Sequence, residues 1–224
     1  MKSEVNESKK IIMIGNGSLA NTMMYYLKTT TNWEVVAYSS ELISEKTTYN
    51  GKPFVPINSL VDEYSINEYE VINVVGYSNM CGHRKRLYEK IKAMGYRMPN
   101  YIHPSAILNN VTLGDSNIVL ENVVFEPNAI IENNIIIWSA VLIGHDTFVG
   151  SHSYFAPCSL IAGNSKVGQN CFLGSHSTLI DGGELAEHTL LGAGAFCSNT
   201  TCPYDVIVPV RSIVLGNHKS IELI

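Results

Sequence analysis

The adjacent residues His145 and Asp146 carry the side chains in this sequence best suited to proton transfer. A neutral imidazole near pH 7 is a good general base, and a neighbouring carboxylate can orient the ring and stabilise the imidazolium. Gly163 holds the same position as His145 in the repeat described below, one coil later. Because glycine has no side chain, we expect open space beside the imidazole. The alternative is that His145 is an exposed turn histidine without a chemical role.

A second pair, His152 and His188, is 36 residues apart, which resembles the spacing of two zinc ligands in γ-class carbonic anhydrases. The third ligand of that class would fall on Ala193, and catalytic zinc usually needs three protein ligands. We therefore expect no metal, and interpret both histidines as turn residues that hydrogen-bond the backbone. The five cysteines have no CxxC spacing, which is typical of reduced, packed residues in a cytoplasmic protein.

A glycine turn near the N-terminus could approach a phosphate. The apolar run Lys10–Ile14 predicts a strand, the turn Gly15, Asn16, Gly17 and Ser18 follows it, and the apolar spacing of Leu19–Lys28 predicts a helix. A dinucleotide site would also need an acid at the end of the second strand, predicted over 33–38, but that place holds Tyr38-Ser39-Ser40. NAD is therefore disfavoured. A smaller phosphate-bearing ligand, or a tight turn without a ligand, remains open.

The elements that would position these residues differ between the two halves of the chain. In the first hundred residues, a third strand over 71–75 and a helix over 84–94 complete an alternation that predicts a small parallel sheet with helices. From Ser105 to Thr200 the apolar residues recur every six positions, which fits neither a helix nor a simple strand. A triangular β-solenoid has this period, with one inward side chain on each side of a coil. The inward positions would be residues 107, 113, 119, 125, 131, 137, 143, 149, 155, 161, 167, 173, 179, 185, 191 and 197.

Charge also changes near residue 100. Residues 1–100 carry 12 Lys and Arg against 10 Asp and Glu, and residues 101–224 carry 3 against 10. We therefore predict two domains, 1–100 and 101–224. The net charge of −5 and the charged fraction of 16% argue against nucleic acid as a partner. No apolar run is long enough to span a membrane, so we expect no transmembrane helix, and the polar segment MKSEVNESKK lacks the apolar region typical of a signal peptide.

The two halves together resemble the hexapeptide-repeat sugar acetyltransferases, a family that includes sialic-acid O-acetyltransferase-like proteins and nucleotide-amino-sugar N-acetyltransferases. The resemblance rests on the segments IIMIGNGSLA, VGYSNM, RKRLYEKIKAMGY, YIHPSA and IIIWSAVLIGHDTFVGSHSYFAP. It implies a Rossmann-like domain followed by a left-handed parallel β-helix. It also implies that acetyl-CoA, as co-substrate, lies between adjacent subunits. The flat faces and open ends of a solenoid would be sticky in a monomer, so we expect a cytoplasmic homotrimer.

The resemblance further implies roles for individual residues. His145 would be the general base and Asp146 its acidic partner, while the Gly163 backbone N–H would stabilise the oxyanion. The nucleotide of the acceptor would lie on the turn formed by Gly15, Asn16, Gly17 and Ser18 and on the loop of Tyr77, Ser78 and Asn79. The backbone that would hold the pantetheine arm belongs to Ala162, Gly163, Gly174, Ser175, Gly192 and Ala193.

The sequence departs from relatives in two places. Some carry acids after the second strand, where this chain has Tyr38-Ser39, and some carry a second histidine nine residues after the base, where it has Tyr154. The basic residues that could meet a CoA phosphate in the second half are Lys166, Arg211 and Lys219.

The resulting hypothesis is an acetyl-CoA-dependent N-acetyltransferase for a nucleotide-linked amino sugar. Two alternatives stay open: O-acetylation of a sialic acid or other sugar, and a non-catalytic binding or scaffold solenoid.

Overall fold

The N-terminal part is a five-stranded sheet flanked by helices. In this computed structural model, residues 8–210 and residue 221 are described, and Arg211 and Lys219 lie outside them. The strands follow the order β3-β4-β2-β1-β5 across the sheet. No helix within the described ranges is long and apolar enough to cross a membrane. The elements are β1 Lys10–Ile14, α1 Ser18–Thr30, β2 Glu34–Ser40, β3 Thr47–Tyr49, β4 Lys52–Pro56, a 3₁₀ turn Ile57–Ser59, α2 Leu60–Glu63, β5 Tyr69–Asn73 and α3 Gly82–Ala93.

The predicted strand–turn–helix unit is present, with β1 at the centre of the sheet between β2 and β5. The sheet is not wholly parallel, because β3 pairs with β4 in antiparallel register. Asn50 and Gly51 connect these two strands, and both have positive φ angles, 48° and 71°. An Asn-Gly pair is the sequence signal for such a tight hairpin.

The second part is a left-handed parallel β-helix of two-residue strands in three sheets. The first sheet, on which the N-terminal domain packs, contains Tyr101–Ile102, Ile118–Val119, Ile136–Ile137, Tyr154–Phe155, Phe172–Leu173, Leu190–Leu191 and Val206–Ile207. The second contains Ile107–Leu108, Val124–Phe125, Leu142–Ile143, Leu160–Ile161, Thr178–Leu179 and Phe196–Cys197. The third contains Thr112–Leu113, Ile130–Ile131, Phe148–Val149, Lys166–Val167 and Glu184–Leu185.

Two positions of the repeat explain how the coils close and stack. The sixth position takes a left-handed backbone in nearly every hexapeptide, and it is often Asn, which tolerates positive φ. The fourth position lies against the next coil: a Cβ on Gly144 would be 2.5 Å from the backbone N of Gly163. The predicted inward residues from Val119 to Cys197 are buried and form one core.

In the first coil the observed strand register differs from the predicted one. Leu108 pairs with Phe125, seventeen residues later, whereas Leu113 pairs with Ile131 at the regular separation of eighteen. The turn between Leu108 and Leu113 is therefore one residue short, and Ile107, predicted to point inward, is 52% exposed. The first coil tolerates this shift because its strands are edge strands with a partner on one side.

The two domains share a core in which α1 faces the outer side of the first sheet. Arg84, at the start of α3, is fully buried at their junction and bonds only backbone carbonyls among its described partners. Its guanidinium donates to Asn73 O and Val75 O of the N-terminal domain and to Ser116 O and Asn134 O of the β-helix, the last two at 3.1 Å. Arg84 therefore couples the position of one domain to that of the other.

Candidate active site

His145 and Asp146 lie on the corner where the chain passes from the second sheet to the third, here called the second corner (Gly144–Thr147 and its counterparts in other coils). The imidazole Nδ1 is 2.9 Å from Oδ2 of Asp146. Both side chains are about half exposed, at 48% and 49%. An imidazole that donates its Nδ1 proton to this carboxylate presents the lone pair of Nε2 outward, as a general base requires.

The surroundings of His145 are acidic. The hydrogen bond with Asp146 raises the pKa of His145 above its ordinary value, and the charges of Asp146, Glu126 and Asp181 add to that effect. Glu126 also accepts the backbone N–H of His145 at 3.0 Å. The pKa of Asp146 is lowered by its hydrogen bonds with His145 and Asn128.

Gly163 lies on the next coil of the same corner, against the face of the imidazole. A Cβ added to Gly163 would be 2.5 Å from Nε2 of His145 and 2.7 Å from Cε1. The space predicted beside the ring therefore depends on the absence of a side chain at this position.

The six residues predicted to hold pantetheine fall on two different corners. Ala162 and Gly163 lie on the second corner, near His145. The others lie where the first sheet passes to the second, here called the first corner (Trp138–Val141 and its counterparts). There the coils are tightly stacked, because a Cβ on Gly174 would be 2.3 Å from the backbone N of Ala193. The first-corner residues are Gly174, Ser175, Gly192 and Ala193.

A cavity of about 530 Å³ separates the N-terminal domain from the first sheet. The predicted turn from Gly15 to Ser18 lines it, and so does Tyr77. Ser78 and Asn79 are not among its lining residues: Ser78 Oγ is 3.3 Å from Nδ1 of His83, and the Asn79 amide packs against Gly82. The structure thus brings the glycine turn and one of the three loop residues to the same cavity.

Sequence reasoning missed an acid in the cavity wall. Strand β2 ends at Ser40, two residues later than predicted, and the next residue is Glu41. Its carboxylate forms ion pairs with Arg86 and, at 3.1 Å, with Lys90. Extending the apolar strand pattern by two residues would have placed Glu41 where a nucleotide-binding acid is expected.

The remaining wall is aromatic and contains residues from both domains. Tyr77 contacts Tyr154 edge-on, with ring centroids 4.8 Å apart, and Tyr154 stacks on Phe172. Trp138 completes this side of the cavity, and His83 lines it from the start of α3. Tyr154 occupies the position where some relatives carry a second histidine.

The His152 and His188 pair does not form a metal site. His152 is buried and its Nδ1 is 2.9 Å from the Asn134 amide, and burial lowers its pKa to about 4. His188 stacks on Tyr204, with centroids 4.7 Å apart. Among the described residues, no group of three or more His, Cys, Asp or Glu could hold a metal ion. Lys166, one predicted CoA contact, pairs with Glu184 at 3.3 Å.

No family model matches the chain. Among solved structures, the acetyltransferase domain of PglB from Neisseria gonorrhoeae, in complex with acetyl coenzyme A, has a TM-score of 0.78 at 18% identity, covering 91% of this chain and 100% of that one. A variant of perosamine N-acetyltransferase from Caulobacter crescentus, in complex with CoA and GDP-perosamine, has a TM-score of 0.79 at 23% identity, covering 88% and 92%. The chain shares the fold of these acetyltransferases. WeeI from Acinetobacter baumannii is similar over 84% of this chain and 96% of that one, with a TM-score of 0.64 at 16% identity.

Proposed function

We propose that the protein is an acetyl-CoA-dependent N-acetyltransferase acting on a nucleotide-linked amino sugar. The observation that carries this proposal is the His145–Asp146 pair beside the bare backbone of Gly163. Its setting supports the proposal, because the chain has the fold of acetyltransferases whose structures contain acetyl-CoA, CoA or GDP-perosamine.

In the proposed reaction the neutral amine of the sugar attacks the thioester carbonyl of acetyl-CoA. As the C–N bond forms, Nε2 of His145 takes a proton from the nitrogen, and Asp146 stabilises the resulting imidazolium. The backbone N–H of Gly163 is the group we assign to the developing oxyanion, since a bare glycine allows the carbonyl to approach. Collapse of the tetrahedral intermediate breaks the C–S bond, and His145 returns the proton to the leaving CoA thiolate.

An amine acceptor is favoured over a hydroxyl by the charges around the base. The carboxylates of Asp146, Glu126 and Asp181 act on His145, and the same field attracts the ammonium form of an amino sugar. The bound ammonium then releases one proton to solvent, and the neutral amine is the nucleophile. A hydroxyl acceptor, as in sugar O-acetylation, carries no positive charge and is not attracted by this field.

The cavity beside the glycine turn supports a nucleotide-linked acceptor. The N-terminus of α1 follows that turn, and free backbone N–H groups there suit a diphosphate. Arg86 and His83 add basic groups to the same wall, and the aromatic side formed by Tyr77, Trp138 and Tyr154 suits an apolar sugar face.

A complete site would need two copies of the chain, which supports the expected homotrimer. The cavity and Trp138 lie beside the first corner, whereas His145 lies on the second corner, beyond the second sheet. The outer face of the second sheet also carries exposed apolar residues, among them Leu160 and Phe196, that a neighbouring subunit could cover. We place this reaction in the cytoplasm, where acetyl-CoA and nucleotide sugars are produced.

The experiment is to incubate the protein with acetyl-CoA, a thiol reagent and a panel of nucleotide amino sugars, with free sialic acid as the O-acetylation arm. We expect CoA release with an amino sugar, and a loss of about 10² to 10⁴-fold in turnover for His145→Ala. The matched control is His188→Asn, which changes a histidine at the corner between the third and first sheets and keeps a residue suited to its left-handed backbone. Release with sialic acid alone would favour the O-transferase, and no release with any acceptor would favour the scaffold.

A further inference from the structure

Three polar side chains form a ladder along the second corner. Asn110, Asn128 and Asp146 are eighteen residues apart, and each has a left-handed backbone, with φ angles of 52°, 67° and 55°. The amide of Asn110 donates to Oδ1 of Asn128 at 2.8 Å, and the amide of Asn128 donates to Oδ1 of Asp146 at 3.1 Å. The other oxygen of Asp146, Oδ2, faces Nδ1 of His145.

We propose that Asn128 is a positioning residue, which fixes the carboxylate plane of Asp146 so that Oδ2 faces the imidazole of His145. This inference rests on the proposed role of His145 as general base. Asp146 is half exposed, so without Asn128 its carboxylate would be held by the contact with His145 and would otherwise face solvent. A hydrogen bond to each oxygen defines the plane of the carboxylate, and Asn110 in turn orients the amide of Asn128.

The corner backbone does not itself require this ladder. At the first corner, the equivalent sixth positions include Ala140 and Cys158, which adopt φ angles of 58° and 61° without an amide or carboxylate side chain. Asn122 is another sixth-position residue of the first corner, is exposed like Asn128 and has a φ of 56°. It therefore provides a control with the same residue type, backbone and repeat position, away from His145.

The test is a double-mutant cycle with glycine, which tolerates the left-handed backbone. We expect Asn128→Gly to lower kcat about fivefold to tenfold and to leave the KM for both substrates unchanged. We expect the control, Asn122→Gly, to leave both kcat and KM unchanged. If Asn128 acts through Asp146, adding Asn128→Gly to Asp146→Gly should cause no further loss. Equal losses in the presence and absence of the Asp146 side chain, or no loss in the single variant, would overturn the proposal.

A measurement without substrate separates this inference from the proposed function. The pKa of His145 can be followed by NMR titration in the wild type, in Asn128→Gly and in Asp146→Gly. The charged groups acting on the ring are Asp146, Glu126 and Asp181, and the Asn128 amide is hydrogen-bonded to the first of them. We expect the pKa to fall in Asn128→Gly, towards its value in Asp146→Gly, because the carboxylate is released. An unchanged pKa refutes the positioning role even in a protein that transfers no acetyl group.

Discussion

The imidazole of His145 occupies the space that a side chain at Gly163 would fill, one coil further along the β-helix. A Cβ at Gly163 would lie 2.5 Å from Nε2, the atom that we assign as the base. The regular eighteen-residue stacking brings them together, because both occupy the fifth position of their hexapeptides. The geometry of the base therefore depends on a residue that has no side chain.

Gly163→Ala should displace the imidazole without unfolding the β-helix. The φ of Gly163 lies outside the left-handed range, so alanine is not strained there, and the atoms it would meet belong to the exposed ring of His145. We expect turnover to fall by at least about tenfold, because a misplaced base loses much of its contribution. Steady-state kinetics and a thermal melt would check this. Normal turnover in a folded variant would contradict the assigned position of the base.

The pH dependence of the reaction should report the His145–Asp146 pair. The pKa of His145 is raised above its ordinary value, mainly by the hydrogen bond with Asp146, and only the neutral imidazole accepts a proton. We therefore expect kcat/KM to rise with pH along a limb whose midpoint lies above that of an ordinary histidine. In Asp146→Asn the negative charge is lost, the pKa of His145 falls, and the limb should move to lower pH with a reduced plateau. A limb at the same pH in both proteins would show that Asp146 does not act on the titrating group.

The sequence predicted the β-helix well because every coil repeats the same requirement for an inward apolar residue. Inward positions such as Phe125 and Leu173 are buried as expected. The end of β2 was less predictable: Ser39 and Ser40 resemble a turn, yet both are buried in the strand, so Glu41 was overlooked.

The cavity was only partly predictable, since its walls come from two domains. A local pattern identified the glycine turn at Gly15, but Trp138 and His83 reach the cavity through the docking of one domain on the other. That docking depends on contacts between residues far apart in sequence, and a repeating sequence pattern does not predict such contacts. The ladder through Asn128 likewise required the observed stacking register.

Arg84 should be a major determinant of stability. Burial lowers its pKa to about 10, and it donates to four carbonyl oxygens contributed by both domains. Arg84→Met would leave these carbonyls without their donor, so we expect a loss of about 3 kcal/mol or more in the free energy of unfolding. Urea denaturation would measure it. The control is Lys92→Met, which removes an exposed ion pair with Asp115 and should cost less than about 1 kcal/mol. Similar losses in the two variants would contradict the coupling role of Arg84.

Mixing two inactive variants should restore activity if the site forms between subunits. His145→Ala removes the base, and Gly17→Glu places a carboxylate in the glycine turn, where a side chain has room but would repel a phosphate. In a trimer assembled at random from equal amounts, about one site in four would combine an intact His145 with an intact cavity from the adjacent copy. Co-expressed, doubly tagged protein should therefore reach about a quarter of wild-type turnover. A chain carrying both substitutions, mixed with either single variant, is the control and should stay inactive. Absence of recovery in confirmed mixed oligomers would show that His145 serves the cavity of its own chain.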